Sequence, residues 1–259
     1  MTTTRPLRKP LPRAVEKRPH GASGPSEYEV VVRETQARWI KFIEFIDAKA
    51  HPMRVFRGCG SERHEFIPTV GRPPAVYSPL HEERVFRAFQ QSAGPMFQLP
   101  ITGDWNWLAV AQHHGLPTRL LDWTTNPLVA CYFAISSGNQ NEDAVVHTVN
   151  IPSEDIVDPV KNPDPFSIDR VMFLVPAKSA PRIVNQRGLF SVHNRPDKPW
   201  LPENADKFVI PASMRSRFRR TLFKMGIDQS HIYPDIGGLC ETLKWRYVER
   251  IGIGTPMIG

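Results

Sequence analysis

The chain has 259 residues, 41% of them hydrophobic and 10% aromatic, which excludes a chain disordered throughout and allows one or two domains with a real core. Its 26 prolines, about twice the usual ~5%, disfavour long bundles and coiled coils and point to a loop-rich mixed fold. The net charge of +7 is local: residues 1–26 carry +5 and residues 207–227 carry +6, leaving −4 on the rest.

Three widely spaced cysteines, Cys59, Cys131 and Cys240, form no paired framework or zinc spacing, so reducing conditions and a cytoplasmic location are expected. No apolar stretch follows the basic N-terminus, and the longest strongly apolar run, Leu128–Ile135, is too short to span a bilayer. Neither a signal peptide nor a membrane partner is therefore expected.

Residues 1–26, with five prolines and few large apolar side chains, read as a disordered basic tail, either a solubilising extension or an anion-binding arm. Residues 27–259 are expected to form one domain. From Thr35, helical spacing of Trp39, Phe42, Ile43 and Ile46 predicts a first helix. Met53–Arg57 reads as a strand closed by Gly58. Ser78-Pro79 predicts an N-cap and first helical residue, with Val85, Phe86, Phe89 and Ala93 on the buried face. A third helix starts at Asp104, with Trp107, Leu108 and Ala111 inward, and stops at Gly115 and Pro117. Asn126-Pro127 opens a fourth, apolar nearly all round and therefore central. The period then changes to two over Ala144–Val149, Val171–Val175, Leu189–His193 and Phe208–Ile210. Ser213 is expected to cap a helix with Met214, Phe218, Leu222 and Met225 on one face, and a last helix runs from about Gly238 to Arg250. Helices first and strands later argue for an α+β fold, N-terminal helices packed on a mainly antiparallel sheet.

Chemistry-bearing residues concentrate in Gln112–Pro127, read as a helix–loop–helix connection holding His113, His114, Arg119, Asp122, Thr124 and Thr125. The structural alternative is that Arg119 and Asp122 pair across the turn while Asp122 or Thr124 caps the next helix. Adjacent histidines point about 100° apart on a helix and do not chelate, so no metal is expected. Arg57, ending an apolar strand beside glycine, is placed either to fork onto a phosphate or carboxylate or to pair with Glu82 or Glu83. In the helix near residue 215, Arg217, Arg220 and Lys224 form one stripe and Arg215 and Arg219 another, a candidate phosphate-directed nucleic-acid surface together with the tail.

Phe56-Arg57-Gly58, the run Gln112–Thr125 with Asn126-Pro127-Leu128 and Tyr132-Phe133-Ala134, Asn185–Phe190, Gly226-Ile227 and Tyr233–Leu239 together resemble the FRG-domain family over about residues 35–245. By pattern that family is distantly similar to the ADP-ribosyltransferase fold. There an arginine or histidine ends the first core strand, a Ser/Thr element precedes a buried helix, and a later glutamate starts another strand. The resemblance implies NAD as cofactor, met by Arg57, Gly58, His113, Arg119, Thr124 and Thr125. It implies catalysis by Arg57 and by Gln186 at the glutamate position. Because glutamine carries no charge there, Glu83 or Asp122 is the substitute carboxylate if the domain turns over. The implied activity is that of a bacterial toxin or anti-phage module with a nucleic acid as candidate target. The alternative is a non-catalytic nucleic-acid or nucleotide-binding module, and a third reading, an interaction domain, has Arg57 and Asp122 merely paired.

Overall fold

The computed structural model describes residues 26–48, 53–74, 76–98, 100–176, 185–202 and 204–252. Of the basic tail only Ser26 falls within them, and it belongs to the fold: its side chain and that of Glu29 form a capping box that starts α1, Glu27–Asp47. The remaining elements are β1 Arg54–Cys59, α2 Pro79–Ala93, α3 Asp104–His113, β2 Leu120–Thr124, α4 Pro127–Ser136, β3 Ala144–Asn150, β4 Met172–Leu174, β5 Gly188–Val192, β6 Asp206–Ile210, α5 Arg215–Lys224, α6 Gln229–Ile232 and α7 Ile236–Glu249. The six strands form one sheet in the order β4-β5-β2-β1-β3-β6, every neighbouring pair antiparallel. The mixed helix-and-antiparallel-sheet expectation is therefore met.

Strand alternation sorts the core. Phe56, Ala144, Val146, Phe208 and Ile210 face a helical layer built from α4, Phe42 of α1, and Phe218 and Leu222 of α5. On that same sheet face but over the other three strands, Leu120, Met172, Leu174, Phe190 and Val192 lie against Phe86 of α2 and Leu108 of α3. The opposite face buries Val55, Leu121, Trp123, Val149 and Leu189 beneath Phe66 and Trp200, which come from loops.

One element departs from expectation. Leu120–Thr124, read as part of a loop, is a central strand paired residue for residue with β5. Its Gly, Pro and Thr neighbours mimic a connection, but Leu120, Leu121 and Trp123 are buried on two different faces, which only a strand allows. Smaller differences follow the same logic. Gly103, not Asp104, is the N-cap of α3, and Trp105 is more deeply buried than Trp107. Ser213 lies in a 3-10 turn before α5 instead of capping it, and Met225 is exposed.

Under the loop-covered face, Trp123 Nε1–H donates to Ser191 Oγ at 2.9 Å, and Ser191 lies 2.9 Å from His193 Nε2. Ser191 Oγ thus accepts from the indole and shares a second hydrogen bond with the imidazole. Burial, with Arg57 and Arg119 nearby, lowers the His193 pKa to about 3. The unfolded chain takes up this proton near pH 6.5, so it binds more protons than the folded chain between those values. Stability should fall as pH drops through that window, by about 1.4 kcal/mol per unit and about 2 kcal/mol by pH 5. Urea midpoints at pH 7.5 and 5 test this; equal midpoints would contradict it, and His193→Gln should remove only its own share, because buried His147, lowered to about 4, loses stability over the same window.

Candidate functional site

The sheet is not continuous at its centre. β1 and β2 are in register only at Phe56 and Thr124, and then separate. An open cleft of about 420 Å³ fills the opening, at the seam between the α4 and α2–α3 helix groups. Arg57 reaches across, its Nη1 donating to the Asp122 carbonyl at 2.5 Å. Its Nε is buried without a hydrogen-bond partner.

Each residue of Phe56-Arg57-Gly58 has a separate task. Phe56 enters the α4 core. Arg57, one position on, lines the cleft. Gly58 also borders the cleft, but what requires glycine is α4: a Cβ there would sit 1.9 Å from the Ala130 carbonyl oxygen and 2.5 Å from the Ala134 amide nitrogen.

Several residues distant in sequence meet here. Arg57, His113, Asp122, Thr124 and Gln186 all line the cleft. The Thr124 hydroxyl donates to the Gln186 carbonyl at 2.6 Å and accepts from the Asn126 amide at 2.9 Å, so it holds the entry to β5 in place. Gln186 Nε2 donates to the Ile232 carbonyl at 3.1 Å, leaving the amide oxygen as the group to offer a ligand. Asp122 is the carboxylate of the cleft. Gln112 Nε2 donates to it at 3.1 Å, and Gln112 is oriented in turn by the Thr118 hydroxyl at 2.6 Å. Arg57 thus contacts the Asp122 backbone and not its carboxylate, so the mutual ion pair of the interaction-domain reading is not formed.

Other sequence candidates lie elsewhere. Arg119 is buried against Glu82 at 2.6 Å, with Tyr77 and the Pro165 carbonyl completing its partners, and is absent from the cleft lining. The Arg119–Asp122 pair is therefore not made. Glu83 lies on the outer part of α2 beside Arg87 at 3.7 Å. Glu82, Phe86 and Ala93 share the buried stripe, and the next residue on a helix turns about 100° away. Thr125 is exposed, its amide donating to the Arg187 carbonyl at 3.2 Å.

The basic helix is largely consumed by the fold. Arg215 is buried, and its guanidinium donates to six carbonyls, of Gly60, Ala134, Ile135, Ser137, Asn139 and Glu142. Its guanidinium is therefore engaged within the fold. Arg217 lies over Tyr28 at 4.9 Å and Arg219 over Trp245 at 4.7 Å, while Arg220 pairs with Glu249. Of the helix's predicted contacts, exposed Lys224 keeps the least engaged side chain.

Sequence reading missed Arg72, His64 and Gln112 as cleft residues. Arg72 and His64 stand in irregular chain between β1 and α2, where no periodicity assigns a direction. Gln112 was on the page but carries no charge to draw attention. Among the described residues, no group of three or more His, Cys, Asp or Glu is placed to hold a metal ion, and no helix is long and apolar enough to cross a membrane.

Fold and cleft define an α+β protein with a split antiparallel sheet and a ligand-sized opening at the split. Residues 53–143, from β1 to the turn before β3, match the FRG domain. No curated protein and no solved structure matches the chain.

Proposed function

We propose that the chain is an ADP-ribosyltransferase-like protein that takes NAD as substrate in the β1–β2 split. One observation carries this reading. Arg57, Thr124 and Gln186, the three positions that the resemblance orders along the chain, come from three different strands or their entries and converge on one cleft. The volume of about 420 Å³ lies within the range of nucleotide-sized pockets.

In this reading the Arg57 guanidinium binds a phosphate or the nicotinamide-side ribose. Thr124 positions Gln186, whose amide oxygen accepts from a ribose hydroxyl. Loss of nicotinamide breaks a C–N glycosidic bond and leaves positive charge on the ribose, which a carboxylate stabilises far better than an amide. Asp122, held by the Gln112–Thr118 chain, supplies that charge in place of the expected glutamate.

Calorimetric titration with NAD and measurement of nicotinamide release in the presence of a cell lysate test the reading. Arg57→Ala should weaken NAD binding roughly 10- to 100-fold, the worth of a charge-assisted contact. Asp122→Asn should lower nicotinamide release by about 100-fold while NAD affinity stays within a few-fold. Absence of NAD binding by the unaltered chain would overturn the assignment.

A further inference from the structure

The cleft holds guanidiniums with fewer hydrogen-bond partners than the arginines buried elsewhere in the fold. Arg54 spreads its guanidinium over Thr148 and the Phe45 and Ile46 carbonyls that end α1. Arg119 has Glu82, and Arg215 has six carbonyls. Arg57 and Arg72 are different. Arg57 Nη1 meets the Asp122 carbonyl, with the Cys59 thiol and the Phe66 ring at 6.0 Å as its other contacts, and Arg72 Nε meets the Ile67 carbonyl at 2.7 Å, so the hydrogen-bond partners of both are neutral. Neither forms an ion pair among the described residues.

The two guanidiniums are neighbours. Both line the cleft, and the charges of both act on the Cys59 thiol, which lines it too. Burial and then the charge of Arg57 lower the pKa of Arg72, while Asp122 opposes the shift. One carboxylate faces two guanidiniums, so the lining keeps a net positive charge with its histidines neutral. Holding two like charges together in a partly desolvated cleft is unfavourable in the empty protein, and a multiply charged anion relieves it. Guanidinium forks onto phosphate oxygens in bidentate fashion, and both arginines line the cleft that such a group would enter.

We propose that Arg57 and Arg72 together form a two-guanidinium seat for a diphosphate group, one phosphate on each arginine, which makes the ligand of the β1–β2 split a nucleoside diphosphate derivative. This deepens the nucleotide reading of the same cleft and assigns Arg72, outside the strand motif, as the residue that distinguishes diphosphate from monophosphate.

The probes are inorganic pyrophosphate and orthophosphate, titrated calorimetrically into the full chain. Pyrophosphate should bind at least 10-fold more tightly than orthophosphate. Arg72→Gln should reduce pyrophosphate affinity by at least 10-fold and leave orthophosphate affinity nearly unchanged, with Arg72→Lys in between. Independently of any variant, pyrophosphate should move the Nε–Hε NMR signals of Arg57 and Arg72 in the unaltered protein. Equal affinity for the two anions, an unchanged pyrophosphate affinity in Arg72→Gln, or an unmoved Arg72 signal would each overturn the proposal. Pyrophosphate bound through both arginines without NAD binding would retain the seat and remove the NAD reading. NAD bound equally by the unaltered chain and Arg72→Gln would do the reverse.

Discussion

Gly58→Ala should destabilise the fold severely, whereas Arg57→Ala, one residue away, should remain folded and lose ligand. The added methyl would lie 1.9 Å from the Ala130 oxygen and 2.5 Å from the Ala134 nitrogen, the carbonyl and amide that one turn of α-helix joins to each other. Both obstacles are backbone, so no side-chain rotation relieves the overlap. α4 would have to leave β1, and with it the layer that packs Phe56, Phe218 and Leu222. Overpacking ordinarily costs 1–3 kcal/mol, but displacing the central helix should exceed about 4 kcal/mol, a large part of a domain's stability. Gly60 is pressed in the same way, 2.2 Å from the Ser137 carbonyl oxygen by the same construction, so α4 follows β1 closely over both glycines. Circular dichroism and thermal melts of the two variants would decide; a Gly58→Ala protein melting within a few degrees of the unaltered chain would contradict the packing account.

Arg215→Ala should cost about 3 kcal/mol or more, because several buried carbonyls would lose their donor at about 1–3 kcal/mol each. Its guanidinium closes the C-terminal end of α4, where the last carbonyls have no helical partner and the helix dipole is negative. Removing it would strand buried acceptors of the helix end and of the following turn. Arg215→Lys should recover only part of the loss, because an ammonium cannot span carbonyls on several sides. Arg220→Ala, at a surface pair with Glu249, should change stability by less than about 1 kcal/mol. Urea unfolding of the three variants would rank them; equal losses from Arg215 and Arg220 would refute the buried role.

Much of the fold was legible because local rules and tertiary packing agree. Ser78-Pro79 and Asn126-Pro127 begin helices where the caps require, and the alternating segments after residue 140 are strands. β2 was hidden since it is short, flanked by loop-forming residues, and buries side chains on both faces with only Asp122 exposed, so no regular alternation marks it. Direction within a helix misled at two places: Glu83 came from the family resemblance and Arg215 from an outward stripe, while the packed face took Glu82 and turned Arg215 inward.

By itself the sequence determined the class of fold, the strand-ending arginine, the buried central helix with its cap, and the segregation of charge into two short stretches. Only the tertiary structure decided that β1 and β2 part after one residue pair, and that Arg57, Arg72, Asp122 and Gln186 share the opening. Propensity and periodicity act over a few residues, whereas strand pairing and side-chain neutralisation are settled between segments far apart in the chain. For that reason the sum of charges suggested a polyanion at the basic helix. The fold spends much of that helix's charge on α4, two aromatic rings and Glu249, and leaves two guanidiniums without carboxylate partners in the cleft.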